Sequence, residues 1–107
     1  MTGNNPPLRE SELAGATLEE IHSALFEQLV GGHAQMALTF LGKIPNPQTG
    51  ELEEPDLEAG KIFIDQLEML TAKTEGNLSE KEKNFLDKAL GTARAAFAGL
   101  LNKDVGE

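Results

Sequence analysis

The chain has 107 residues, 39% of them apolar, and 12 of these are alanines, which leaves 30 side chains large enough to dominate a core; that supports one domain and not two. Against 9 basic residues stand 18 acidic ones, for a formal charge of -9, a balance that repels phosphate backbones and anionic lipid and argues against direct nucleic-acid binding. The absence of cysteine removes disulfides, thiol catalysis and thiolate metal sites, and the absence of tryptophan and tyrosine leaves any base-stacking platform to five phenylalanines.

Residues 1–16 combine Gly, Asn, Pro and scattered charge with only Leu8 and Leu13 as larger apolar groups. Nothing there offsets the entropy of ordering, so a flexible, disordered N-terminal tail over 1–16 is expected, followed by a single helical domain over 17–107. The start also lacks the basic segment and apolar run of a secretory signal, and a cytoplasmic location is the expectation.

Thr17-Leu18-Glu19-Glu20 is a capping box, in which the threonine hydroxyl takes the amide of Glu20 and the Glu20 carboxylate reaches back. Leu18, Ile21, Leu25, Leu29, His33, Met36 and Phe40 then fall at steps of three and four, with Phe26, Val30, Ala37 and Leu41 widening the stripe, and Gly42 stands where a left-handed cap is wanted. The spacing predicts a helix over 18–41. Its uncharged stretch, Gln28 to Gly42, is 15 residues long, short of the ~20 apolar residues a membrane span needs. An interfacial helix would carry Lys or Arg on its polar face, and none occurs between Thr17 and Gly42. No membrane association is expected.

Pro45 and Pro47 remove two amide donors, bias the residues before them to extended geometry and precede a Thr49-Gly50 turn, so Lys43 to Glu51 is a structured loop. An acidic run leads to Asp56, a natural N-cap for a second helix over 57–75, on which Leu57, Gly60, Ile64, Leu67 and Thr71 form one row and Phe63, Leu67 and Leu70 another. Three residues past the stop at Gly76, Ser79 and Glu82 form a second capping box. Phe85, Leu86, Ala89, Leu90, Ala93, Phe97, Leu100 and Leu101 continue it as a third helix over 80–102. Acids cluster at each start and a lysine (Lys43, Lys73, Lys103) sits at or just past each end, complementing the helix dipoles. The fold class is all-α: a three-helix antiparallel bundle with one Pro-containing loop between helices 1 and 2.

The order of residues in Leu41-Gly42-Lys43-Ile44-Pro45-Asn46-Pro47-Gln48-Thr49-Gly50-Glu51, Asp56-Leu57-Glu58-Ala59, Ile64-Asp65-Gln66-Leu67-Glu68-Met69-Leu70 and Lys73-Thr74-Glu75-Gly76-Asn77-Leu78-Ser79-Glu80 resembles the small bacterial family catalogued as domain of unknown function 1844. The likeness covers roughly Ser23 to Phe97. It implies a small helical bacterial cytoplasmic protein, brings no activity, cofactor or catalytic residue to carry over, and at most suggests a translation-associated partner. The sequence departs from the family pattern at Gly31-Gly32, which puts the regularity of the first helix in question.

The residues that could carry chemistry do not assemble into a site. Glu19-x-x-His22 echoes the carboxylate–histidine pair of di-iron bundles, but Val30 stands where a second such pair would need Glu, and His22 and His33 are three turns apart, ~16 Å along the axis. Asp65 and Glu68 lie one turn apart on a face that also offers Lys61 as an i,i+4 partner, and no activated nucleophile, oxyanion donor set or phosphate loop accompanies them. No catalytic, cofactor-binding or metal residue is assigned, and an enzyme is not expected. The five phenylalanines fall on or beside apolar rows and read as core. Gly31, Gly32, Gly60, Gly91 and Gly99 each cost a helix interior ~1 kcal/mol relative to alanine, so they either permit close helix approach or mark a kink at Gly31-Gly32.

Helices this long, with two-sided apolar rows, leave Phe26, Val30 and Ala37 beyond the reach of a three-helix core, so a dimer or larger homo-oligomer is expected. The leading expectation is a non-enzymatic, acidic protein–protein interaction module that self-associates. The alternative is an acidic accessory factor for translation or nucleic-acid machinery that contacts a basic protein. The candidate partner surface is the loop with an exposed Ile44, made of Ile44, Pro45, Pro47, Thr49 and Gly50, whose prolines lower the entropy lost on ordering; the alternative, slightly favoured, is that the prolines only stop one helix and aim the next.

Overall fold

The computed structural model describes residues 15–106, and the expected tail over 1–16 lies almost wholly outside them. Three helices follow in order: α1 (Leu18–Phe40), α2 (Leu57–Lys73) and α3 (Glu80–Gly106). Both capping boxes form. Thr17 Oγ1 accepts from the Glu20 amide at 3.0 Å while the Glu20 carboxylate accepts from the Thr17 amide at 3.0 Å. The Ser79 and Glu82 pair repeats this at 3.1 and 2.9 Å, and Asp56 caps α2 through the Ala59 amide at 3.1 Å. Orphan amides at all three starts are thereby satisfied. α1 stops in a Schellman turn: Gly42 takes φ +75°, the Lys43 amide donates to Leu38 and the Gly42 amide to Thr39. α3 runs past the expected end at Asn102 because no Pro or Gly intervenes before Gly106.

The contacts fix the directions. Phe63 near the start of α2 stacks on Phe40 at the end of α1, with ring centroids 5.7 Å apart, so α1 and α2 are antiparallel. Lys81 meets Glu27 and Phe85 lies over Gly31, so α3 runs parallel to α1. Each helix packs on the other two, as in an up-down-up bundle.

The core is Val30, Ala37 and Leu41 from α1 and its cap, Ile64 and Leu67 from α2, and Leu86, Leu90 and Ala93 from α3. This corrects the sequence reading of α1. Val30 and Ala37, expected to lie beyond the core, are fully buried, and Phe26 is half-buried against it, whereas Leu18, Leu25, Leu29 and Met36 of the supposed main stripe are exposed. The physical reason is size. Val30, Ala34 and Ala37 present a narrow ridge that lets α2 and α3 both come close, and a leucine row there would hold them apart. The phenylalanines accordingly flank the core rather than fill it.

Of the helical glycines Gly31, Gly32, Gly60, Gly91 and Gly99, Gly60 alone is a true close approach, with a Cβ there falling 2.5 Å from Leu41 Cδ2. Gly31 has ordinary room beneath Phe85, and Gly32, Gly91 and Gly99 face open space, contrary to the close-approach expectation for them. α1 passes through Gly31-Gly32 as unbroken helix.

Residues 41–56 form a loop whose ends meet, the Asp56 amide donating to Phe40 O at 2.7 Å. Asn46 is its hub. Its amide donates to Glu51 O at 2.9 Å and its carbonyl accepts from Gly50 at 2.7 Å. Its side chain accepts from the Gln48 amide at 2.7 Å and donates to Glu53 at 2.7 Å. Flanked by two residues without amide donors, Asn46 supplies most of the polar wiring there.

Candidate protein-interaction surface

The outer face of α1 gathers several large apolar side chains that folding leaves exposed. Leu18, His22, Leu25, Leu29, Gly32 and Met36 are all exposed, with Leu18 at 67%, Leu29 at 48% and Met36 at 41%. They lie about a quarter turn round the helix from Val30 and Ala37, by the helical period. Between this row, the start of α2 and the loop runs a shallow groove of about 400 Å³, lined by Leu29, Gly32, His33, Met36, Pro47 and Phe63 among others. None of its lining residues carries a formal charge with His neutral.

Two of the polar groups bordering the groove, His33 and Thr39, are engaged locally. His33 Nδ1 lies 3.2 Å from Leu29 O and its ring meets Phe63 edge-on at 5.6 Å. Thr39 is buried, with its hydroxyl donating to Gln35 O at 2.8 Å. The walls therefore offer an apolar partner shape, with the exposed amides of Gln28 and Gln35 at its border.

The loop residues singled out from the sequence divide. Pro47 borders the groove, whereas Pro45, Thr49 and Gly50 are exposed beyond its lining and Ile44 is half-buried, not exposed as expected, because the chain turns it inward directly after the Gly42 cap. Sequence reasoning missed two features. Asn46 was readable as the sole amide-bearing residue between two prolines. The outward row was readable as spacing, but it was merged with the core stripe beside it.

The carboxylates that invited comparison with acid–base pairs are separately held. Asp65 accepts from Lys61 at 3.0 Å, and Glu68 accepts from Arg94 at 2.8 Å across α2 and α3. A second cleft at the other end of the bundle gathers Glu19, Glu20, Glu27 and Glu82 around Lys81. There Glu20 and Glu82 serve as caps, and Glu27 lies 3.8 Å from Lys81. The Ser79 amide, above all, holds the Glu82 carboxyl below its ordinary range. Among the described residues no group of three or more His, Cys, Asp or Glu could hold a metal, and no helix is long and apolar enough to cross a membrane.

No curated protein and no solved structure matches the chain. Residues 23–99, more than two thirds of the sequence, match the model described as Domain of unknown function (DUF1844), nearly the span over which the sequence resembles that family, and the chain belongs to it.

Proposed function

We propose that this protein is a small, non-enzymatic interaction module that binds another protein chain through the outward face of α1 and the Pro47 edge of the loop. The observation that carries this reading is the uncharged apolar groove at Leu29, Gly32, Met36, Pro47 and Phe63 on a chain of formal charge -9. Exposed apolar side chains gathered on one face mark an interaction site far better than the same residues scattered. A rigid bundle and a hydrogen-bonded loop present that face with little entropy left to lose on binding.

The test is affinity capture from the native cell with mass spectrometry, comparing the parent chain with Leu29→Glu plus Met36→Glu and with Ile62→Glu on the outer side of α2. Partners lost only with the first variant support the reading. Partners retained by both variants contradict it.

A second reading, an acidic accessory factor that grips a basic protein, is favoured by one observation. Glu51, Glu53, Glu54, Asp56 and Glu58 are all exposed along the loop and the start of α2, with no lysine or arginine among them. Capture through those carboxylates weakens steeply with salt, whereas capture through the α1 face does not.

A further inference from the structure

We propose that the outward row of α1 is an antiparallel, two-fold helix–helix interface joining two copies of this chain. The proposal rests on the interaction reading above and names its occupant.

The row has the spacing of a coiled-coil seam. Leu18, His22, Leu25, Leu29, Gly32 and Met36 follow one another at alternating steps of four and three, all six exposed. They span about 27 Å of helix.

Under a two-fold axis crossing α1 beside Glu27, the row is its own complement, as an isologous interface requires. Leu18 then faces Met36, His22 faces Gly32, and Leu25 faces Leu29, each pair occurring twice. The residue without a side chain stands opposite an imidazole, and a Cβ on Gly32 meets nothing of its own chain within 4 Å, so the room is on the partner's side. A parallel pairing sets Gly32 against Gly32 and leaves a gap within the seam, which loses dispersion contacts.

Charge selects the same face. Two copies at -9 each repel, and the row itself carries no formal charge. Glu27, the acid nearest the axis, is turned toward α3 and Lys81. Glu19 and Glu20 at the end of the row come beside Gln35 and Ala34 of the second copy, neither charged. A basic partner would find no carboxylate on this seam to recognise.

The test is sedimentation equilibrium of the full chain over about a hundredfold dilution from high micromolar concentration, joined to cross-linking of single-cysteine variants, which report unambiguously in a chain without cysteine. The parent sediments as a dimer. Leu29→Glu, at an exposed position, keeps its helical circular dichroism and weakens association by about tenfold or more, while Ile62→Glu associates like the parent. A mixture of His22→Cys and Gly32→Cys forms a disulfide that neither variant forms alone, because like positions lie ~15 Å apart along the seam. A monomer throughout the range overturns the proposal, as does Leu18→Cys cross-linking to itself, since its like positions lie ~27 Å apart along the seam, or equal loss of association with Leu29→Glu and Ile62→Glu. A monomer that still loses its captured partners on Leu29→Glu plus Met36→Glu refutes the second copy and leaves the interaction reading intact; a monomer whose capture ignores those changes refutes both.

Discussion

A methyl group at Gly60 would lie 2.5 Å from Cδ2 and 2.7 Å from Cγ of Leu41, a side chain that is itself fully buried. The end of α1 and the start of α2 are in contact at this point, and the loop between them is closed by the bond from Asp56 to Phe40 one residue earlier. The groove therefore rests on a rigid corner of the bundle. Its Pro47 edge and its α1 wall are parts of one packed unit.

Gly60→Ala is expected to destabilise the protein by about 1 kcal/mol, because overpacking against Leu41 outweighs the gain in helix propensity. Gly91→Ala, exposed and with nothing within 4 Å, is expected to stabilise by about 0.5–1 kcal/mol. Urea midpoints for the two variants should move in opposite directions. Movement in the same direction contradicts the assignment of Gly60 as the close approach.

At the turn between α2 and α3, Ser79→Ala removes the acceptor for the Glu82 amide and is expected to cost about 1 kcal/mol. Glu82 also gives the turn a pH dependence. The Ser79 amide first, and then the Ser23 hydroxyl, hold its carboxyl below the ordinary value of 4.5. A carboxyl with a lowered folded-state pKa contributes stability above its unfolded pKa and loses it as pH falls through the folded value. Thermal unfolding of the parent should therefore fall off more steeply below about pH 4.5 than that of Glu82→Gln, which keeps a cap but cannot titrate. Parallel curves for the two would remove Glu82 from the acid response.

Asn46→Ala deletes the side-chain bonds to Gln48 and Glu53. A loss of about 1 kcal/mol is expected, with faster amide exchange at Gln48 and Gly50 and little change at Leu67 or Leu86. Exchange that rises equally in the core would mean that the loop and bundle open as one.

Much of this architecture is written locally. Thr17 with Glu20, Asp56 with Ala59, and Ser79 with Glu82 are contacts within three residues, so the helix starts could be read without knowing what each helix packs on. The core face of α1 could not. Two apolar rows run side by side, and the larger one, with Leu25, Leu29 and Met36, is the exposed one. Only the approach of α2 and α3 to the small Val30 and Ala37 decides between them, and that depends on residues such as Gly60, Leu67 and Leu86 that lie far from both rows in sequence. Oligomerisation was expected on account of the residues that proved buried. The surplus of apolar surface is real, but it belongs to the neighbouring row. The groove was hidden for a similar reason, since Pro47 reaches its edge through the wiring of Asn46, which depends on Glu51 and Glu53 beyond the turn.

The outward face of α1 as the binding surface is tested most directly by amide chemical shifts of the isotope-labelled chain, followed as it is concentrated and as a captured partner is added. Shift changes concentrated between Leu25 and Met36 and at the loop residues beside Pro47, with Ile62 and Met69 on α2 unmoved, are the predicted result. Changes centred on Ile62 and Met69, with the α1 row silent, would contradict the account.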